Sequence, residues 1–293
     1  MRNLQALNIR KLDHLAKLLG APEAYVEGLS GRCDRMYRRR ELPKKSGGTR
    51  VLQVPKGELK QVQRRLNGLL QRVELPECMH GCRPGHSIVH NALPHVGKPM
   101  VVKIDVKDFF ASVRPDHVYR AFVGLGCSPD VSHVLTRLTT HKFELPQGAP
   151  TSPALANLVF APIALRFQRL AEAHRADYTD YVDDNAFSGP RYLPRLLPLI
   201  CKILGQSGFR VKTEKSRGLD RSGEQVVTGV KVNVRLDVPE AYVNETEALI
   251  GQYNAQGGGE GSVQGPQILG RINFIRSLNP ALAHQLARQF RAS

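Results

Sequence analysis

The strongest constraint on the fold comes from acidic residues that end two apolar β-strand patterns. Residues 99–111 (PMVVKIDVKDFFA) indicate a buried strand that ends at Asp105 and is followed by aromatic residues. Residues 178–189 (YTDYVDDNAFSG) predict a β-hairpin with Asp183 and Asp184 at or beside its tip. A carboxylate beside buried strands is unfavourable unless a cation meets it. The chain is therefore expected to bring at least one cation to these strand ends.

Divalent metal ions are the natural partners of three converging carboxylates. Oxygen ligands suit Mg²⁺, which also keeps water and binds substrate phosphates. Two such ions about 4 Å apart activate a hydroxyl nucleophile and stabilise a leaving phosphate oxygen. We therefore predict that Asp105, Asp183 and Asp184 hold two Mg²⁺ ions. The alternative for an Asp-Asp pair alone is a simple turn, which the apolar flanks and the second acid-tipped strand disfavour.

Composition narrows the class of protein. The chain has 293 residues, of which 41% are hydrophobic and 23% charged, so it is expected to fold into globular domains. No apolar run approaches the roughly 20 residues of a membrane-spanning helix. The first twenty residues predict a short amphipathic helix instead of a signal peptide. Five cysteines without a secretion signal favour free thiols and a cytoplasmic location.

An excess of positive charge points to a polyanion. The formal net charge is +16, and residues 31–72 carry a net +10 from thirteen Lys or Arg and three acids. Part of this segment predicts a helix with an apolar stripe of Leu59, Val62, Leu66, Leu69 and Val73. Arg64 and Arg65 lie off that stripe. We expect them to contact nucleic acid, and a solvated helix face remains the alternative.

A cluster of Cys and His residues could suggest zinc. Cys78, His80, Cys82, His86, His90 and His95 lie within eighteen residues. Zinc sites usually have paired ligands at both ends of a loop, and this cluster has no second half of that kind. A zinc site is therefore not predicted.

Six segments occur in the order of the reverse-transcriptase motifs: HGCRPGHSIVHNA, VVKIDVKDFF, LPQGAPTSPALAN, YVDD, GFRVKTEKS and VVTGVKVN. The chain resembles a bacterial retron reverse transcriptase over about residues 35–280, since Asn91 to His95 match the NAxxH signature and Val227 to Gly229 the VTG signature. The resemblance implies an α+β right-hand polymerase fold. Its expected parts are an N-terminal helix and fingers (1–98), an antiparallel-sheet palm (99–235, with a fingers insertion near 112–145) and a helical thumb (236–293).

The resemblance also implies roles for individual residues. Catalysis is expected from Asp105, Asp183 and Asp184, which bind metal with the backbone of Val106, and from Lys215 as a general acid. The dNTP is expected at Lys45, Arg50, Arg83, Phe110, Gln147 and Gly148. Phe110 would exclude ribonucleotides, while its neighbour Phe109 is the alternative for that role. Primer, template and RNA contacts are expected from Arg64, Arg65, Tyr181, Asn91, His95, Val227, Thr228 and Gly229.

The implied function is RNA-directed DNA synthesis on a cognate structured non-coding RNA. Priming from a guanosine 2′-hydroxyl would give a branched RNA–DNA product (msDNA) that serves anti-phage defence with a separate effector protein, and host RNase H would remove the template. Val182, Cys82 and His86 depart from the residues commonest in retrons, and none of them is a metal ligand. The alternatives are another bacterial reverse transcriptase, either group II intron-like or defence-associated, and a non-catalytic RNA-binding scaffold.

Overall fold

The computed structural model describes residues 7–43, 47–212, 214, 216–256 and 264–291. These residues form twelve α-helices and eight β-strands, which gives the mixed α+β organisation that was predicted. No helix among them is both long and apolar enough to cross a membrane.

Two helices, a hairpin and a third helix form the N-terminal part of the described chain. In order they are α1 (Leu12–Leu19), α2 (Glu23–Arg32), β1 (Tyr37–Pro43), β2 (Thr49–Pro55) and α3 (Gly57–Leu70). Of the predicted apolar stripe, Leu59, Val62 and Leu66 are buried on α3 and Leu69 is partly buried, while Val73 is buried beyond the end of the helix. The side chain of Arg65 on α3 donates to the carbonyl oxygens of Leu19 and Gly20, where α1 ends. That contact ties the two helices together.

A four-stranded antiparallel sheet forms the centre of the molecule. Its strands are β3 (Met100–Asp105), β4 (Asp177–Tyr181), β5 (Asp184–Gly189) and β6 (Arg217–Asp220), in the order β4-β5-β3-β6. The surrounding helices are α4 (Ile88–Ala92), α5 (Phe109–Ser112), α6 (Pro115–Gly124), α7 (Pro129–Thr139), α8 (Ser152–Ala173) and α9 (Leu197–Gln206).

The two faces of the sheet have different environments, because successive strand residues point to opposite sides. On one face, Val102 and Ile104 join the main hydrophobic core, where Phe187 and Tyr178 pack against Phe167 of α8. On the other face, Val101 belongs to a smaller core formed with Ala186 and the segment 227–232. Asp105 alternates with Val101 and therefore lies on this second face.

The remaining chain forms a short hairpin and three helices. These elements are β7 (Val226–Val227), β8 (Val230–Lys231), α10 (Glu240–Ala255), α11 (Gln264–Leu278) and α12 (Pro280–Arg291). Within the described residues 225–239, the β-structure consists of these two-residue strands and an isolated antiparallel bridge between Lys231 and Asp237. Asn279 caps α12, since the N–H of Leu282 donates to its Oδ1 at 3.2 Å.

Arg271 joins helices α10 and α11. Its guanidinium carbon lies 3.9 Å from the centroid of the Tyr242 ring, and its nitrogens donate to Thr246 Oγ1 at 2.8 Å and Glu245 Oε2 at 2.9 Å. We predict that Arg271→Ala lowers the free energy of unfolding of this helical region by about 2 kcal/mol, because stacking and hydrogen bonds to a charged group are lost together. Hydrogen exchange of α10–α12 measures the change.

Arg276 provides the matched control for that experiment. It is exposed and bonds to Asn273 on its own helix. Arg276→Ala is expected to change stability by less than about 0.5 kcal/mol. Equal effects of the two substitutions would show that Arg271 does not hold the helices together.

Candidate active site

Strand pairing brings the three predicted catalytic aspartates to one edge of the central sheet. Asp105 is the last residue of β3 and lies directly opposite Asp184, the first residue of β5. Residues opposed in an antiparallel ladder point to the same face, with Cβ atoms about 5 Å apart. The N–H of Val106 donates to the carbonyl oxygen of Asp183 at 3.1 Å, which holds the third acid beside the first.

The turn between β4 and β5 is strained. Tyr181 and Asp184 form the last strand pair, so Val182 and Asp183 make the turn. Val182 has a φ of +66°, a left-handed conformation that is unfavourable for a β-branched residue. Such a conformation persists only where surrounding contacts impose it.

Gly81 supplies one of those contacts. The segment that contains it runs along β4, with the N–H of Asp180 donating to Cys78 O and the N–H of His80 donating to Asp180 O, both at 2.8 Å. A Cβ atom at residue 81 would lie only 2.6 Å from the backbone nitrogen of Val182. The strained turn therefore fits against a backbone that has no side chain at this point.

Lys103 places a positive charge beside the aspartates. It lies two residues before Asp105 on β3, so both side chains share a face of the sheet, and its Nζ lies 3.8 Å from Asp184 Oδ2. The ammonium group partly offsets the repulsion between the carboxylates. Sequence reasoning missed this residue, although its alternation with Asp105 in an otherwise apolar strand was visible.

Asp180 is a second residue that sequence reasoning missed. It is buried on the helix-covered face, opposite Asn185 in the β4–β5 ladder. Neither of its carboxyl oxygens has a hydrogen-bond partner within the described part of the chain. Burial raises the pKa of Asp180 well above its usual value, and the charges of Asp183 and Asp184 raise it further. The neutral acid is therefore favoured at this position.

The donor set at the sheet edge fits Mg²⁺. Three carboxylates on adjacent backbone positions provide the oxygen ligands that this ion prefers. Within the described residues, no three His, Cys, Asp or Glu side chains are already grouped so that they could hold a metal ion. This applies to the aspartates and equally to the Cys and His residues between 78 and 95.

Phe109 and Phe110, the two candidates for excluding ribonucleotides, have different environments. Phe109 is buried and contacts the rings of Phe160 and Phe209, with centroids 5.5 and 5.7 Å away, so it belongs to the core. Phe110 is only partly buried. Of the two rings, Phe110 is thus the one with a surface for a substrate.

The nucleotide-binding candidates fall into three groups. The N–H of Gln53 on β2 donates to the carbonyl oxygen of Gln147 at 2.7 Å, and Gly148 lies against the same strand, which also carries the exposed Arg50. Arg83 donates to the carbonyl oxygens of Pro76 and Met79 at 3.2 and 3.3 Å, so its guanidinium is partly used in its own loop. Lys45 and Lys215 lie outside the described residues.

The side chains of Asn91 and His95 lie in the interior of the protein. Both side chains are buried, with no exposed surface. Asn91 Nδ2 donates to Thr228 Oγ1 at 3.1 Å, and the backbone carbonyl oxygen of Asn91 accepts from Thr179 Oγ1 at 3.2 Å. The polar atoms of these two side chains bond inside the protein, and a role for them in RNA binding stays a prediction.

The ring of His95 completes this buried network. Its Nε2 lies 2.7 Å from the hydroxyl of Thr179 and its Nδ1 lies 2.7 Å from that of Ser188. Thr179 donates its only hydroxyl proton to Asn91, so Nε2 donates to Thr179. Burial lowers the pKa of His95 to about 4, which favours the neutral ring, and in that form Nδ1 accepts from Ser188.

The network reaches the surface at the turn that joins β7 and β8. Val227 is buried and Gly229 exposed, while Thr228 and Gly229 have φ values of +46° and +82°. A β-branched residue is unfavourable in this type of turn, where Asn and Gly are preferred. The hydrogen bond from Asn91 holds Thr228 in this turn.

The remaining RNA-binding candidates lie in different environments. Arg64 is exposed, Arg65 binds the end of α1, and Tyr181 is partly buried.

We predict a pH-dependent contribution of His95 to stability. The unfolded state binds a proton near the usual pKa of about 6.5, whereas the folded state resists protonation down to about 4. Its contribution is therefore present above pH 6.5 and is lost as the pH falls towards 4, by up to about 1.4 kcal/mol per pH unit. Denaturant unfolding between pH 4 and 8 should show a shallower slope for His95→Gln than for the unmodified chain.

The exposed His14 serves as the control for this titration. His14→Gln should leave the pH dependence unchanged. Parallel stability curves for His95→Gln and the unmodified chain would contradict the buried, neutral assignment.

Comparisons with known proteins agree with this geometry. The family described as reverse transcriptase (RNA-dependent DNA polymerase) matches residues 42–232. The Retron Mx65 reverse transcriptase of Myxococcus xanthus is 36% identical over 269 residues, covering 85% of this chain and 62% of the relative. The Retron Mx162 reverse transcriptase of the same organism is 32% identical over 277 residues, covering 82% and 57%. The chain thus spans about three fifths of the length of these curated relatives.

Among solved structures, the apo telomerase of Candida tropicalis superposes with a TM-score of 0.52 at 10% sequence identity, covering 87% of this chain and 57% of that one. A likeness at this identity concerns the fold alone, and it confirms the predicted polymerase fold. The limits predicted for fingers, palm and thumb stay a prediction. Because the family match spans residues 42–232 and both curated relatives are retron enzymes, we conclude that the chain belongs to the reverse transcriptase family and resembles its retron members.

Proposed function

We propose that this protein is the RNA-directed DNA polymerase of a retron, which copies part of a cognate structured RNA into single-stranded DNA. The observation that carries the proposal is the opposition of Asp105 and Asp184 across the β3–β5 ladder, with Asp183 held beside them. A non-catalytic RNA-binding scaffold has no use for three carboxylates whose repulsion destabilises the fold. Retention of all three acids in this geometry supports catalysis.

The proposed chemistry is attack of a hydroxyl of the growing strand on the α-phosphate of a dNTP, which forms a phosphodiester bond, breaks the bond to the β-phosphate and releases pyrophosphate. Asp105, Asp183 and Asp184 would hold Mg²⁺, which when bound lowers the pKa of the attacking hydroxyl and neutralises charge on the phosphates. Phe110 would lie beneath the incoming sugar and exclude a 2′-hydroxyl. The loop at Gln147 and Gly148, braced by β2, would line the base pair that forms.

The retron-specific part of the proposal concerns the RNA. Both curated relatives described above are named as retron enzymes. We infer that priming occurs from a guanosine 2′-hydroxyl to give a branched RNA–DNA product, that a separate effector protein acts with it in anti-phage defence, and that host RNase H removes the template in the cytoplasm. The hairpin of β7 and β8 would meet the RNA through its exposed tip, while Asn91 and His95 position that hairpin from inside.

The nucleic acid that copurifies with the expressed locus tests this proposal. Sequencing before and after treatment with a debranching enzyme is expected to reveal a DNA joined to RNA through a 2′–5′ linkage. Unbranched complementary DNA would identify another kind of reverse transcriptase. RNA without any DNA would favour the scaffold.

We predict that Asp183→Asn abolishes DNA synthesis while the protein stays folded and bound to RNA. Loss of one anionic ligand weakens metal binding and transition-state stabilisation, for an expected fall in kcat of about a hundredfold or more. Incorporation of labelled dNTP on an RNA template measures the effect. Asp220→Asn is the control, because it changes a partly buried carboxylate on β6 that pairs with Arg191, and it should retain activity.

A second prediction concerns the fit between Gly81 and the strained turn. Gly81→Ala would place a methyl group 2.6 Å from Val182 N, so the turn or the segment must move. Because small displacements of catalytic groups are costly, kcat should fall by about tenfold or more with little change in RNA affinity. Gly68→Ala on α3, where a methyl group meets nothing within 4 Å, is the matched control. Full activity of the Gly81 variant would show that the turn tolerates displacement.

A further inference from the structure

An exposed aromatic ring lies at the tip of a strained two-residue turn that the site described above does not use. Lys142 and Phe143 connect His141 to Glu144, whose backbones exchange two hydrogen bonds of 2.9 and 3.1 Å. Both turn residues are left-handed, with φ of +49° and +64°. Asn and Gly are the residues that favour such a turn. Phe143 has 76% of its surface exposed, so burial does not explain why an aromatic residue stands there.

The base of the turn is rigidly held. His141 is buried and stacks on Tyr37, with ring centroids 4.2 Å apart, and its Nδ1 lies 3.2 Å from Asp34 Oδ1. The hydroxyl of Tyr37 accepts a hydrogen bond from Gln63 at 2.8 Å. The exposed ring is thus presented from a fixed support, which lowers the entropic cost of binding a ligand.

A groove of about 550 Å³ adjoins the ring. Tyr119, His133 and Arg137 are among its lining residues, together with Lys142 and Phe143 themselves. This volume lies within the ~300–1,000 Å³ that ligand sites usually have. The groove also contains Asp34 and Asp116, so its own charges nearly cancel. The exposed ring of Phe143 beside a groove with little net charge suits a flat, uncharged group such as a nucleobase.

Phosphate-binding charge lies on the adjoining strand. Tyr37, which stacks under the turn, begins β1, and the next three residues are the exposed Arg38, Arg39 and Arg40. Arg39 pairs with Glu41 at 2.7 Å, and the strand keeps a net positive charge. Aromatic rings for bases beside cations for phosphates are the combination that binds single-stranded nucleic acid.

The turn also lies on the segment that leads into the proposed nucleotide site. The N–H of Leu145 donates to Val113 O at 3.0 Å, and Gln147 contacts β2 through its carbonyl oxygen. A base bound at Phe143 would therefore belong to nucleic acid outside the reacting base pair but close to it along the protein. Unpaired template RNA meets this description.

We propose that Phe143 is a stacking site for an unpaired base of the RNA, with Lys142 and the arginines of β1 contacting the neighbouring phosphates. This inference rests on the proposed function. The strain of the turn is then the cost of projecting a ring from a tight, rigid support. Phe143 acts in binding and takes no part in the chemistry at the aspartates.

Three substitutions of Phe143 test this proposal, and the Gly substitution should change stability and binding in opposite directions. Phe143→Gly relieves the left-handed strain, so it should raise Tm, yet it removes the ring and should weaken binding of an unstructured 12-nucleotide oligo(A) RNA. Phe143→Ala should weaken the same binding, while Phe143→Trp should retain it. A loss of roughly fivefold to one hundredfold in affinity is expected from one base–aromatic stack. Tyr192→Ala removes a different exposed aromatic ring and should leave affinity unchanged.

Primer extension on a short template that leaves a single unpaired nucleotide, the one to be copied, separates this inference from the proposed function. The unmodified chain should extend that primer, and the Phe143 variants should do so equally well. An oligo(A) RNA carrying one 5-iodouridine should form a photo-crosslink to the peptide that contains Phe143. Unchanged RNA affinity in both the Ala and Gly variants would overturn the proposal and leave protein contact as the use of the ring. An unmodified chain that neither binds RNA nor extends a primer would instead overturn the proposed function.

Discussion

The candidate active site depends on the opposition of two carboxylates across one strand pair of the central sheet. Asp105 and Asp184 face each other where β3 and β5 begin to diverge, and a shift of one residue in register would turn one of them to the helix-covered face. Hydrophobic burial fixes the register, because Val102 and Phe187 must meet the main core on that face. The packing of the apolar residues thus holds the acids together against their repulsion.

Neighbouring groups then moderate the unfavourable charge. Lys103 lies on the same face as the carboxylates and contacts Asp184. Asp180 lies on the opposite face, where burial, and then the charges of Asp183 and Asp184, raise its pKa and favour its neutral form. The turn between the strands carries backbone strain at Val182, which the close fit of Gly81 maintains. Strain at a site of this kind is consistent with selection for function at the expense of stability.

The sequence predicted those features that depend on local pattern. The three aspartates at the strand ends and the apolar stripe of α3 each follow from residue type and spacing, and the structure places them accordingly. Burial of polar side chains could not be predicted in the same way. Asn91 bonds to Thr228, which lies 137 residues further along the chain. A local sequence pattern does not show such a distant partner.

The contacts of some charged and aromatic side chains could not be predicted from local sequence pattern either. Arg65 and Arg83 looked available for phosphates, but their guanidinium groups bind backbone carbonyls that only the tertiary fold brings within reach. The exposure and positive φ of Phe143 are likewise invisible in the run HKFE, where an aromatic residue would be expected in the core. Sequence patterns thus identified the chemistry of the site, and the fold decided which side chains serve it.

The most direct test of the central claim is the stoichiometry of metal binding. Titration of the chain with Mn²⁺ in the presence of primer, template and a non-hydrolysable dNTP analogue can be followed by the loss of the free-ion electron paramagnetic resonance signal. The account predicts two bound ions per chain, and loss of this binding in Asp105→Asn with Asp220→Asn unaffected. Unchanged stoichiometry and affinity in Asp105→Asn would contradict the claim that the opposed aspartates form the metal site.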